Sequence, residues 1–138
     1  MSYSSDDPHA MAHEAGRRGE LPIDETERLI GSDRVEGTDV YDRQGQRLGT
    51  VQNFMVDKIT GKVAYAVLSV GGFLGIGARY HPLPWKSLTY DPDLGGFVVD
   101  VTQEQLERGP TYEAADRPWS DPRFGRSVYD HYNIPWYL

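Results

Sequence analysis

Apolar positions along the chain gather in short runs divided by Gly, Pro and Asp, with little of the three-to-four spacing that marks helices. The run VAYAVLSV, Val63 to Val70, is apolar at nearly every position and rich in β-branched residues, which predicts a strand covered on both faces. Before it, Thr38 to Tyr41 and Leu48 to Asp57 read as strands, joined by Asp42-Arg43-Gln44-Gly45. Lys58-Ile59-Thr60-Gly61 makes the next hairpin turn. After it, Arg79 to Trp85, Leu88 to Tyr90 and Gly96 to Val101 predict three further strands, with a turn at Asp91-Pro92-Asp93. Pro82 and Pro84 cannot donate to a ladder, so their strand is expected to be short, bulged or at an edge. Strands with short hairpin links, followed by one helix, predict an antiparallel barrel or sandwich.

The glycines between Val70 and Arg79 (Gly71, Gly72, Gly75 and Gly77) read as a structural turn. A phosphate loop would need Lys-Ser/Thr after its last glycine, and Gly77 is followed by Ala78-Arg79. At the barrel's entrance, Asp24 with Glu27 could cap a short helix that Gly31 would stop. At its exit, Thr102-x-x-Gln105 is a capping box opening a short helix that Gly109-Pro110 closes.

Three segments follow. Residues 1–22 are small, polar and acidic and are expected to be a disordered arm. Residues 23–110 carry the barrel and its short helix. Residues 111–138 form a tail rich in aromatics (Tyr112, Trp119, Phe124, Tyr129, Tyr132, Trp136, Tyr137), with Pro118, Pro122 and Pro135 expected to break any long helix. So many aromatics do not stay loose in water, so the tail is expected to dock, on its own barrel or on a neighbouring subunit.

More than half of the net charge of −7 lies in the first 25 residues, and no basic block appears, which disfavours nucleic-acid binding. Cysteine is absent, excluding disulfides and thiolate chemistry and fitting a reducing, cytoplasmic compartment. The start lacks a secretory pattern, and no apolar run is long enough to span a bilayer; any membrane role is expected to be peripheral, at the cytoplasmic face.

Candidate chemistry is sparse. His9 and His13 sit four apart in the arm, without the surroundings of a metal site. His81 lacks a nucleophile and an orienting carboxylate, and His131, beside Asp130 and Tyr132, reads as an interface residue. Asp57, Asp91, Asp93 and Asp100 read as turn and rim carboxylates. No catalytic residue, cofactor or metal is expected. Trp85 after Pro84 reads as barrel closure or as an anchor for a partner, and Tyr129, Tyr132, Trp136 and Tyr137 are the other interface candidates.

The run from Gly37 to Asp91 resembles the PRC-barrel family, named for the cytoplasmic domain of the photosynthetic reaction-centre H subunit. The resemblance is carried by Gly45, Leu48, Gly49, Val56, Asp57, Thr60, Gly61, Val63, Tyr65, Gly71, Gly72, Leu74, Gly75, Gly77, Pro84 and Trp85. It implies a six-stranded barrel, often dimeric, without a catalytic centre. The end, SVYDHYNIPWYL, looks like the tail of stand-alone bacterial members. An acidic residue tied to proton relay in the H subunit corresponds here to Val67, so the resemblance does not extend to proton delivery. The expected function is a non-catalytic binding or assembly module, homodimeric, with a protein partner still to be identified. The alternatives are a peripheral component of a photosynthetic reaction centre or related membrane electron-transfer complex, and a ribosome- or RNA-associated factor.

Overall fold

The computed structural model describes residues 25, 26, 28–71 and 77–136. The expected disordered arm, the Asp24–Glu27 cap and the His9/His13 pair lie outside the described residues, as do Gly72, Gly75 and Tyr137.

A one-turn helix, α1 (Ser32–Val35), follows Gly31 instead of preceding it, and Gly31 is its N-cap. The position expected to stop a helix therefore starts one. Six strands come next: β1 (Asp39–Tyr41), β2 (Arg47–Val56), β3 (Val63–Val70), β4 (Arg79–Pro84), β5 (Leu88–Asp91) and β6 (Gly96–Val99). They form one curled sheet in the order β4-β3-β2-β1-β6-β5. Four of the pairings are antiparallel, whereas β1 and β6 run parallel, with Val40 opposite Phe97. The expectation of an all-antiparallel barrel is thus corrected to a mixed sheet. Hairpins can only make antiparallel neighbours, so the one pairing between strands distant in sequence is the one that could break the rule.

Three hairpin turns share one chemistry. Asp42, Asp57 and Asp91 each accept, through Oδ1, the N–H two residues on, at 2.9, 2.8 and 2.9 Å. Gly45, Gly61 and Gly95 then take the positive φ that reverses the chain.

β4 is an edge strand, as its prolines predicted. The N–H and carbonyl of Tyr80 point away from β3 and bond Tyr112 at 2.8 and 3.0 Å. Pro82 and Pro84 follow at alternate positions, so their missing N–H groups fall on that same outer side and cost β3 nothing.

β3 is the centre of the core. Val67 is 0% and Leu68 1% exposed, although alternation sends them to opposite faces. Leu68 joins Val40, Val51, Leu83, Val99 and Leu106 inside the curl. The opposite face lies under the C-terminal segment. Leu68→Ala is expected to lower stability by about 2–5 kcal/mol in urea titrations, and Val67→Ala by less, since it removes fewer atoms. Silence at both positions would contradict two-sided burial.

Two helices end the chain. α2 (Gln103–Arg108) is held by the expected capping box. Thr102 Oγ1 accepts from the Gln105 N–H at 3.0 Å, and Gln105 Oε1 accepts from the Thr102 N–H at 2.8 Å. After a 3₁₀ turn at Pro118–Ser120 comes α3 (Pro122–His131), a ten-residue helix that begins at Pro122 and ends before Pro135, in a stretch where no helix was expected. Pro122 occupies the first turn, where its missing N–H is harmless, and Asp121 caps it by accepting from Arg123 N–H at 2.9 Å.

Candidate functional site

Aromatic side chains form two groups, one on each face of the sheet. Inside the curl, Trp85 leads from β4 into a 3₁₀ turn and meets Phe54 edge-on at 4.9 Å and Phe97 at 5.9 Å; Tyr90 continues the row at 5.4 Å from Phe97. Trp85 is half-buried and fills the curl, which is the closure role considered for it.

On the other face, Tyr65 is the hub. Its ring lies 4.8 Å from Trp119, 5.3 Å from Tyr129 and 6.5 Å from Trp136. Tyr112, Trp119 and Phe124 pack on one another edge-on, and Tyr112 also meets Tyr80 at 5.3 Å. Gly125 is required where α3 crosses Tyr65, because a Cβ there would overlap the Tyr65 hydroxyl. Tyr129 Oη donates to the Ala64 carbonyl at 2.7 Å, one residue beyond the last β3–β4 pair at Tyr65 and Pro84. The hydroxyl thereby satisfies a backbone acceptor that β4 has left behind.

Tyr129 and Tyr132, expected as interface candidates, are thus turned into the chain's own core, Tyr129 being 2% exposed. Trp136 is half-buried against Tyr129 at 4.9 Å, with the Arg126 guanidinium 5.4 Å over its ring. In the glycine segment, Gly71 and Gly77 both take positive φ, 76° and 84°, as a turn requires.

Both described histidines reach the start of the C-terminal segment, where α2 ends. His81 is buried on β4, and burial pushes its pKa below the ordinary value, with Arg79 adding to the effect. His131 Nε2 lies 2.7 Å from the Gln105 carbonyl oxygen. Burial raises the Tyr132 hydroxyl to about 12. Among the described residues, no group of three or more His, Asp or Glu side chains could hold a metal ion.

The exposed apolar side chains lie elsewhere. Among the described residues, the large hydrophobics left open to solvent are Leu29, Ile30, Val56, Ile59, Tyr90 and Leu94, with Ile59 92% exposed. β2 and β5 both run opposite to β1 and β6, so the turns after β2 and β5 emerge at one end of the sheet, where the chain also enters β1. Val56 and Ile59 sit on the first hairpin and Tyr90 and Leu94 on the second; Leu29 and Ile30 precede α1. Glu25 is close enough to raise the Tyr90 hydroxyl pKa, an effect second to burial, so the entering segment lies near the second hairpin. Sequence reasoning passed over this end because single apolar residues in turns look incidental. Only the topology brings them together.

No curated protein matches the chain. Among solved structures it is similar to RimM of Pseudomonas aeruginosa, a candidate 16S ribosomal RNA processing protein, with 23% identity and a TM-score of 0.38. The likeness covers 61% of this chain and 50% of that one, so the chain spans about half the length of that protein. No helix among the described residues is long and apolar enough to cross a membrane. Residues 27–106, more than half of the chain, match the PRC-barrel domain, and together with the six-stranded curled sheet this shows that the chain belongs to the PRC-barrel domain family.

Proposed function

We propose that the chain is a non-catalytic binding module that docks a partner protein on the hairpin end of its sheet. One observation carries this reading: the exposed large hydrophobics collect at that end, while the aromatic tail is spent on internal packing. Apolar side chains held out on structured turns forgo burial that a partner could supply. Glu25, Asp57, Asp91 and Asp93 outnumber Arg28, Lys58 and Lys62 there. The complementary partner surface has an apolar centre and a basic rim.

The test compares the wild type with Ile59→Asp/Leu94→Asp, both substitutions at exposed turn positions that leave the core alone. Proteins captured by the wild type from its native cell, then purified, should bind the double variant at least about tenfold more weakly, a loss of ~1.4 kcal/mol, at an unchanged melting temperature. Equal binding by both proteins overturns the reading. Three other results replace it with a different occupant. A dimer that the double variant dissociates would mean a second copy, and retention on membranes only when they carry reaction centres would mean a membrane complex. A salt-dependent shift with RNA would mean a ribosome-associated factor.

A further inference from the structure

Two imidazoles from different parts of the fold reach the last turn of α2. His131, ending α3, has its Nε2 against the Gln105 carbonyl oxygen at 2.7 Å. His81, on β4, makes a backbone hydrogen bond with Leu106, the next residue. A helix leaves its last four carbonyls without internal partners, and α2 is only six residues long. Gly109 N–H reaches the Leu106 carbonyl at 3.2 Å, and side-chain donors add to the hold on this end. Tyr132 closes the same junction: a Cβ on Gly109 would come within 2.6 Å of the Tyr132 hydroxyl and 3.1 Å of His131 Nε2. Two buried polar atoms here have no hydrogen-bond partner, His81 Nδ1 and Tyr132 Oη. His81 is 7% exposed.

We propose that this junction is a pH-operated latch, in which neutral His81 holds α2 and α3 on the sheet and its protonation loosens them from β4. The surroundings of His81 offer an imidazolium one partner, the Leu106 backbone, whose support burial outweighs; the buried Nδ1 would carry its proton with no acceptor. On β4 itself Arg79 bears on it with a like charge, while Arg79 pairs with Glu113 at 2.8 Å and with Thr111. β3 sets Leu68 opposite it. α2 contributes the Leu106 backbone; of its charged groups, Glu104 and Arg108 pair with each other in solvent and Glu107 is exposed. The end of α3 brings His131 and the capping Tyr132 to the junction at Gly109, and its carboxylate Asp130 is exposed.

The sign follows from burial, which lowers the His81 pKa below its unfolded value near 6.5. The unlatched chain then binds the proton more tightly than the latched one. Docking is complete above about 6.5 and weakens as pH falls below it, until the folded pKa is passed. Each unit between the two pKa values changes the docking equilibrium about tenfold. Partial release of this kind is a sub-global opening, and amide exchange resolves it from global unfolding.

The experiment uses the full chain between pH 7.5 and 5, with exchange corrected for its intrinsic pH dependence. Amides of α3 should lose protection by about tenfold per unit of pKa separation, while those of Val51 and Leu68 hold theirs. Imidazole NMR should place the His81 titration at the same midpoint. His81→Gln should make α3 protection independent of pH over this range. If that variant does not fold, the agreement of the two wild-type midpoints decides. The latch is overturned by flat α3 protection in the wild type or by a loss shared equally with the core strands. It is equally overturned by a pH dependence that survives His81→Gln and vanishes in His131→Gln.

Discussion

Tyr129→Ala is expected to destabilise the fold by about 3–5 kcal/mol, the range for removing a large aromatic from a packed interior. The ring is 2% exposed and packs between Tyr65 and Trp136. Its hydroxyl also satisfies the Ala64 carbonyl at the margin of β3. Tyr129→Phe divides the effect, because it keeps the ring and leaves only that acceptor unpaired, for about 1–3 kcal/mol. Urea unfolding followed by tryptophan fluorescence reads both, since Trp119 and Trp136 flank the same hub. A loss below about 1 kcal/mol for the alanine variant would mean that residues 111–136 do not belong to the folding unit.

Gly49→Ala is the second large effect, and its cause is backbone. A Cβ at 49 would overlap the Ser69 carbonyl oxygen on the neighbouring strand and press on Leu68 Cδ1 at 3.2 Å. A flexible side chain can swing away from an intruding methyl; a ladder carbonyl cannot move without parting β2 from β3. The cost should therefore reach or exceed the top of the usual overpacking range, about 3 kcal/mol. Gly45 is the control. It has positive φ and open space around its Cβ position, so Gly45→Ala carries only the conformational penalty of about 1–2 kcal/mol. Thermal melts of the two variants, side by side, should rank Gly49→Ala well below Gly45→Ala. The reverse order would mean the close approach of β2 and β3 is wrong.

These two sites also show what could be read from the residues alone. Turn positions were legible because Asp and Gly report local backbone geometry, and so was the Thr102–Gln105 capping box, which is complete within four residues. The edge placement of β4 could be read from Pro82 and Pro84, since a missing donor is tolerable in few places. The parallel β1–β6 pair left no local mark, because nothing within either strand records which way a distant neighbour runs. α3 was missed by treating Pro122 as a breaker, when Asp121 before it marks a helix start. Whether Tyr129 and Tyr132 dock on their own sheet or on a neighbouring subunit turned on Tyr65, whose place on the outer face of β3 gives Tyr129 its partner. Aromatic content announced that the tail would be covered but not by what. The apolar hairpin end was invisible for the reason the β1–β6 pair was: its members come together only through topology.

The bond between Tyr129 and Ala64 joins residues 65 apart in sequence, and this has a consequence for the nascent chain. Every strand has been synthesised once Val99 is made, yet the cover for Tyr65, Pro82 and Pro84 is still inside the ribosome. At about 5–20 residues per second, the sheet waits for seconds with one apolar face bare. During that interval the emerging domain is a substrate for chaperones, and a message truncated before the codon for Tyr129 would yield a product that never leaves that state.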